Sequence, residues 1–157
     1  MKKTAFAAAV MMLVLAFCPV RADAATVLQG QIPYTYEEQR MMNWVVQQEV
    51  RGASVEHKRV IAQVIVNRVK DPAFPDTVTD VLTQKNQFSS IGNWYDRKFE
   101  PDRDTITAVR QVLTGEYADI HGALYFYAPR WASPSAAAWF ENDLTFLFEM
   151  EGHRFFR

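Results

Sequence analysis

Apolar residues recur through the chain at two different periods. In the segment opened by Thr35, the positions Met41, Met42, Val45, Val46 and Glu49 share one face at the i, i+3, i+4, i+7 spacing of a helix. "TYEE" at Thr35–Glu38 is a capping box that starts this helix, and Gly52 supplies a left-handed residue to end it. Ser54 caps a second helix with the stripe Val60, Ile61, Val64, Ile65, which stops by Asp71-Pro72 because proline disfavours helix in the residue before it. A short third helix starts near Asp76 or Thr77. A fourth is capped by Asp102 or Asp104, turns Ile106, Val109, Val112 and Leu113 inward, and ends at Gly115.

The period then changes. "ALYFYAP" reads as a strand stopped by Pro129, with Tyr125 and Tyr127 on one face and Phe126 on the other. "SAAAWFEN" reads as a helical turn. "LTFLFEM" alternates Leu144, Phe146, Phe148 against Thr145, Leu147, Glu149; Glu151-Gly152 turns, and "HRFF" pairs back. Residues 84–100 lack a long period and read as a loop or irregular hairpin, and residues 25–34 as a short, poorly ordered lead-in. Helices first and a small antiparallel sheet after them make an α+β domain.

The first 24 residues follow another pattern. Lys2 and Lys3 precede a 14-residue apolar run, Ala5–Cys18, and then small residues at Ala22 and Ala24. That order predicts a signal peptide cleaved after Ala24, since a membrane span needs about 20 apolar residues. Phe17 before the lone Cys18 argues against a lipid anchor, so no stable membrane anchor is expected after cleavage. The expected product is exported, to the periplasm, wall or medium. It has no cysteine and no Cys-ligated metal. Losing Lys2, Lys3, Arg21 and Asp23 from 17 basic and 18 acidic side chains leaves about −3. With no basic stripe, nucleic acid is not an expected partner.

Candidate chemistry centres on one carboxylate. Glu49 points where Met42, Val45 and Val46 point, and poor solvation there raises a carboxyl pKa towards a proton donor's range. Such a group protonates the leaving oxygen of a glycosidic bond. Glu49 is also placed to reach solvent or to pair with Arg51 or Arg68. His57, His121 and His153 are dispersed and form no His-Glu-x-x-His motif; a Gly-x-Ser-x-Gly elbow and a glycine-rich phosphate loop are absent. No metal or cofactor is indicated.

Taken in order, "EVRGAS", "VIAQVIVNRVKDPAFPDTVTDVLTQKNQFS", "GALYFYAP" and "GHRFFR" resemble the cell-wall hydrolase family of the spore cortex-lytic (SleB) type, from about Trp44 to Arg157. The resemblance implies a lysozyme-like fold: a helical body and a small sheet beside a cleft, over residues 35–157. It implies cleavage of peptidoglycan glycan strands between N-acetylmuramic acid and N-acetylglucosamine, typically as a lytic transglycosylase, with Glu49 as the catalytic acid and base. It also implies cleft positions for Gln87, Phe88 and Ser89 of "NQFS", for Tyr125 and Tyr127, and for His153. Asn67 and Arg68 are expected to tie the second helix to its neighbours. The chain departs from the family where an acidic residue often follows the glycine: Gly52 is followed by Ala53 and Ser54. Three other readings stay open: a hydrolysing muramidase with a second carboxylate among Asp96, Glu100, Glu141 and Asp143, a wall-binding module without catalysis, and a structural or inhibitory exported domain. The sequence names no protein partner.

Overall fold

A computed structural model describes residues 25–157, apart from positions 97, 99 and 120. The expected leader at residues 1–24 lies outside the described residues. The elements run β1 (Val27–Gln29), β2 (Pro33–Thr35), α1 (Tyr36–Glu49), α2 (Val55–Lys70), α3 (Val78–Thr83), a 3-10 turn (Ser89–Asn93), α4 (Arg103–Thr114), β3 (Tyr125–Tyr127), α5 (Pro134–Asp143), β4 (Phe146–Met150) and β5 (His153–Phe156).

The helix starts are set by local side-chain chemistry. Thr35 and Glu38 form the reciprocal capping box, Ser54 Oγ accepts from the His57 N–H, Thr77 caps α3, and of the two candidates Asp102 caps α4. Gly115 ends α4 in the left-handed conformation at φ 81°. The stripes Met42/Val45/Val46, Val60/Ile61/Val64/Ile65 and Val109/Val112/Leu113 are buried against one another and against Val78, Val81 and Leu82 of α3. Ile106 departs from the expected inward stripe: it is 43% exposed, and Thr105 is buried in its place, held by Gln47.

The sheet has the order β3-β5-β4, all antiparallel. β5 is therefore central, and its last two residues are buried on opposite faces. Phe155 packs towards the helices, stacked on Phe148 and beside His57; Phe156 meets Tyr127, Phe140 and Phe146. The expected strict alternation of β4 is broken by an irregularity between Phe146 and Phe148, which leaves Phe146 exposed. The Glu151-Gly152 turn has both residues at positive φ, as a tight hairpin needs. The Glu151 carboxylate reaches α2 and accepts from the Ser54 N–H. The segment expected to be a helical turn is the ten-residue helix α5, started by Ser133 and Pro134.

The lead-in differs most from expectation. Residues 27–35 form an antiparallel hairpin, with Ile32 and Tyr34 buried, rather than a poorly ordered segment. It docks on the end of α4: the Gln31 N–H donates to the Leu113 carbonyl at 2.8 Å. A Cβ on Gly30 would lie 2.1 Å from that same backbone oxygen. Gly30→Ala is therefore expected to lift the hairpin off α4 and to lower stability by about 1–3 kcal/mol. Thermal melting and proteolysis near residue 30 would check this; a variant melting with the wild type would disprove the close approach.

Candidate active-site cleft

Glu49 is the last residue of α1, and its side chain leaves the core on the face shared by Met42, Val45 and Val46. The carboxylate is half-buried at the foot of a cleft of about 480 Å³. Its hydrogen-bond partner is the Ser90 hydroxyl, donating at 3.0 Å, and not Arg51 or Arg68. Burial pushes the Glu49 carboxyl above its ordinary value, and the Ser90 bond opposes this only in part. The side chain is thus biased towards the protonated form, as its place on the apolar stripe predicts.

The loop after α3 forms the facing wall. Asn86 sits at φ 64°, in the left-handed region that asparagine tolerates, and turns the chain so that Asn86 and Gln87 face the cleft. Phe88 does not line it. That ring is 3% exposed, packed against Phe126 and under the Arg68 guanidinium, and anchors the loop from inside. Ser89 is exposed and outside the cleft lining; one residue on, Ser90 supplies the contact to Glu49.

β3 and β5 form the floor. Tyr125, Phe126, Tyr127 and His153 line the cleft, and the register Tyr127↔Arg154 puts the end of β3 beside the start of β5. The Tyr127 hydroxyl is already engaged: it donates to Glu141, which Arg154 also holds, while the Tyr127 ring stacks on Phe140 at 4.5 Å. Burial lowers the His153 pKa, and neighbouring His57, 4.9 Å away ring to ring, lowers it further. The ring is therefore neutral at pH 7.

Six lining residues were not singled out from sequence as cleft residues: Phe126, which the strand alternation put on the opposite face, Ala128, Arg68, Trp131, Trp139 and Phe140. The aromatic content of "RWASPSAAAWF" is the only sequence signal for the last three. Trp139 packs edge-on against Tyr125 at 5.8 Å, whereas Trp131 is 79% exposed at the rim. Arg68 and Asn67 do tie α2 to its neighbours: Arg68 Nε donates to the Leu124 carbonyl at 2.7 Å and Asn67 Nδ2 to that of Ala123 at 3.0 Å.

Among the described residues, Glu49 is the one carboxylate in the cleft lining. Glu141 is committed to Tyr127 and Arg154, and Asp96 and Glu100 line separate depressions beside Trp44. Among the described residues no group of three or more His, Cys, Asp or Glu side chains could hold a metal, and no helix is long and apolar enough to cross a membrane.

A sequence profile of the family described as Cell Wall Hydrolase matches residues 52–156, starting three residues after Glu49. The spore cortex-lytic enzyme of Oceanobacillus iheyensis is 29% identical over 99 residues, covering 61% of this chain and 34% of that protein. That of Halalkalibacterium halodurans is 31% identical over 98 residues, covering 61% and 28%. The chain thus spans about a third of the length of these curated relatives. The catalytic domain of the germination-specific lytic transglycosylase SleB from Bacillus anthracis has the same fold, with a TM-score of 0.69 at 25% identity over 79% of this chain and 97% of that one. The catalytic domain of SleB from Bacillus cereus gives 0.68 at 24% identity, over 83% and 98%.

Proposed function

The chain belongs to the Cell Wall Hydrolase family, and on that premise we propose that it is an exported enzyme that cuts peptidoglycan glycan strands between N-acetylmuramic acid and N-acetylglucosamine as a lytic transglycosylase. The observation that carries this reading is a cleft whose lining, among the described residues, holds a single carboxylate with a pKa raised by burial. Protonated Glu49 gives its proton to the glycosidic oxygen as the C1–O bond breaks. The resulting carboxylate then takes the proton of the muramic acid 6-hydroxyl, whose oxygen closes on C1. No water is consumed, so no second carboxylate is needed. Asn86 and Gln87 provide amides to orient the N-acetyl groups, and Tyr125, Tyr127, Trp139 and Trp131 provide apolar faces for pyranose rings. The order of charged, apolar and small residues in positions 1–24 supports export.

Mass analysis of fragments released from purified peptidoglycan tests the reading. Products one water lighter than hydrolysis products support it. Hydrated reducing ends would indicate a muramidase that recruits a carboxylate from outside the cleft lining. Wall binding without fragments would indicate a binding module.

Trp131 gives a separate expectation. At the exposed rim it contributes stacking area without holding the core together. Trp131→Ala should weaken co-sedimentation with insoluble wall by about three- to tenfold and leave kcat on soluble strands nearly unchanged. An unchanged affinity would remove Trp131 from the binding surface.

A further inference from the structure

Arg68 is a buried cation with no counterion among the described residues. It lies in the last turn of α2 and is 4% exposed. Arginine is rarely buried so completely unless paired, because taking the guanidinium out of water costs several kcal/mol. Yet among the described residues no carboxylate pairs with it. Its surroundings are aromatic: the guanidinium carbon lies 5.2 Å from the ring centres of Phe74 and Phe88 and 5.7 Å from that of Tyr125. These ring faces offset part of the lost hydration. The bond from Nε to the Leu124 carbonyl uses one N–H, and Nη1 is buried without any partner.

A purely structural role accounts for the Leu124 bond but not for the charge. Burial pulls the Arg68 pKa down to about 10, which still leaves it cationic at pH 7. The same side chain is part of the wall that faces Glu49, Asn86, Gln87 and His153. Glu49 is biased towards its neutral form and the His153 ring towards neutral imidazole. Arg68 brings a buried positive charge to this wall, and a planar guanidinium fork is the side chain best matched to a carboxylate.

We propose that Arg68 is a specificity-determining residue that recognises a carboxylate on the lactyl arm of muramic acid. This rests on the glycan-cleaving reading above. The carboxylate has two sources: the lactyl group itself on peptide-free strands, or the peptide attached to it. Neither the hydroxyls nor the N-acetyl groups of the strand carry a negative charge, so the lactyl arm is where a buried cation finds its complement.

The test uses four preparations: peptide-free strands and peptide-bearing strands, each with carboxylates free or amidated. Amidation within one pair should lower wild-type kcat/KM about tenfold, and the affected pair identifies the source. Arg68→Gln, which keeps a donor for Leu124, should cleave free and amidated strands at equal rates. Arg68→Lys should regain part of the preference. Equal wild-type rates within both pairs, or a preference that persists in Arg68→Gln, would overturn the proposal. A uniform slowing on all four strands with a lowered Tm would assign Arg68 to packing alone. Binding of the same strands to Glu49→Gln reads the preference without cleavage. If the wild type cuts nothing, the glycan-cleaving reading fails, while the binding arm still decides the role of Arg68.

Discussion

Glu49→Gln should give a folded protein that binds glycan and does not cut it. General acid catalysis by a positioned side chain contributes about 10²–10⁴-fold, and here the same group also serves as the base, so the loss should fall at the upper end of that range. The amide is the same size and can keep the Ser90 contact, which makes the loss chemical and not structural. Stability should move the other way. Burial raises the Glu49 pKa in the folded state above its unfolded value of 4.5. A raised carboxyl pKa means that stability is fully present below the unfolded value and declines as pH rises through the folded one. The variant lacks this loss, so its Tm should match the wild type at pH 4 and equal or exceed it at pH 8. Wild-type activity that needs the protonated acid should persist above the pH at which an ordinary glutamate is ionised and then fall. Cleavage by Glu49→Gln at the wild-type rate would end the assignment. A Tm gap that shrinks with rising pH would mean that burial is not what controls this carboxyl.

What could be read from the sequence was what local chemistry determines. Thr35 with Glu38, Ser54 and Asp102 are caps whose partners lie three residues away, so their roles show in the string itself. Glu49 was legible for a similar reason: a charge at i+3, i+4 and i+7 of an apolar stripe is conspicuous. The hairpin at residues 27–35 was not, because three-residue strands carry no period and their order comes from docking on Leu113, 82 positions from Gln31. Of the "NQFS" segment, Asn86 and Gln87 lie in the cleft lining and Phe88 and Ser89 do not. The left-handed Asn86 rotates the chain so that Phe88 turns into the core and Ser90, not Ser89, reaches Glu49. Arg68 ties elements together as expected; that no carboxylate among the described residues pairs with it is a tertiary fact that no sequence window displays.

The largest loss of stability should come from a residue outside the cleft, in Asp102→Ala. Lys58 of α2 is 1% exposed, and its ammonium donates to both oxygens of the Asp102 carboxylate, at 2.9 and 2.8 Å. The carboxylate also caps α4 by accepting from the Thr105 N–H at 2.7 Å. The Asp102 N–H and the Thr105 hydroxyl both donate to Gln47 Oε1, so α1, α2 and the start of α4 meet at one point. Removing the carboxylate strands a buried ammonium, which costs about 3–5 kcal/mol, and removes a cap worth about 1 kcal/mol; the two overlap and do not simply add. The outer edge of Asp102 is half-exposed, and water there moderates the cost towards the lower figure. For a domain of this size the expected fall in Tm is about 10–15 °C. Lys58→Met together with Asp102→Asn should recover most of it, because no unpaired charge is left behind and asparagine still caps. pH gives an independent check. Burial alone would raise the Asp102 pKa, but the bonds from Lys58 and Thr105 outweigh it and hold the carboxyl far below the usual carboxylate range. Its contribution is therefore present above the unfolded value of 3.8 and declines as pH falls below it, whereas the double variant should lack that acid limb. An Asp102→Ala protein that melts within 2–3 °C of the wild type would mean that Lys58 reaches water without the carboxylate. The cleft would register the difference too. Gln47 is two residues from Glu49 in the last turn of α1, so loosening this junction should reduce cleavage at temperatures where the domain is still folded.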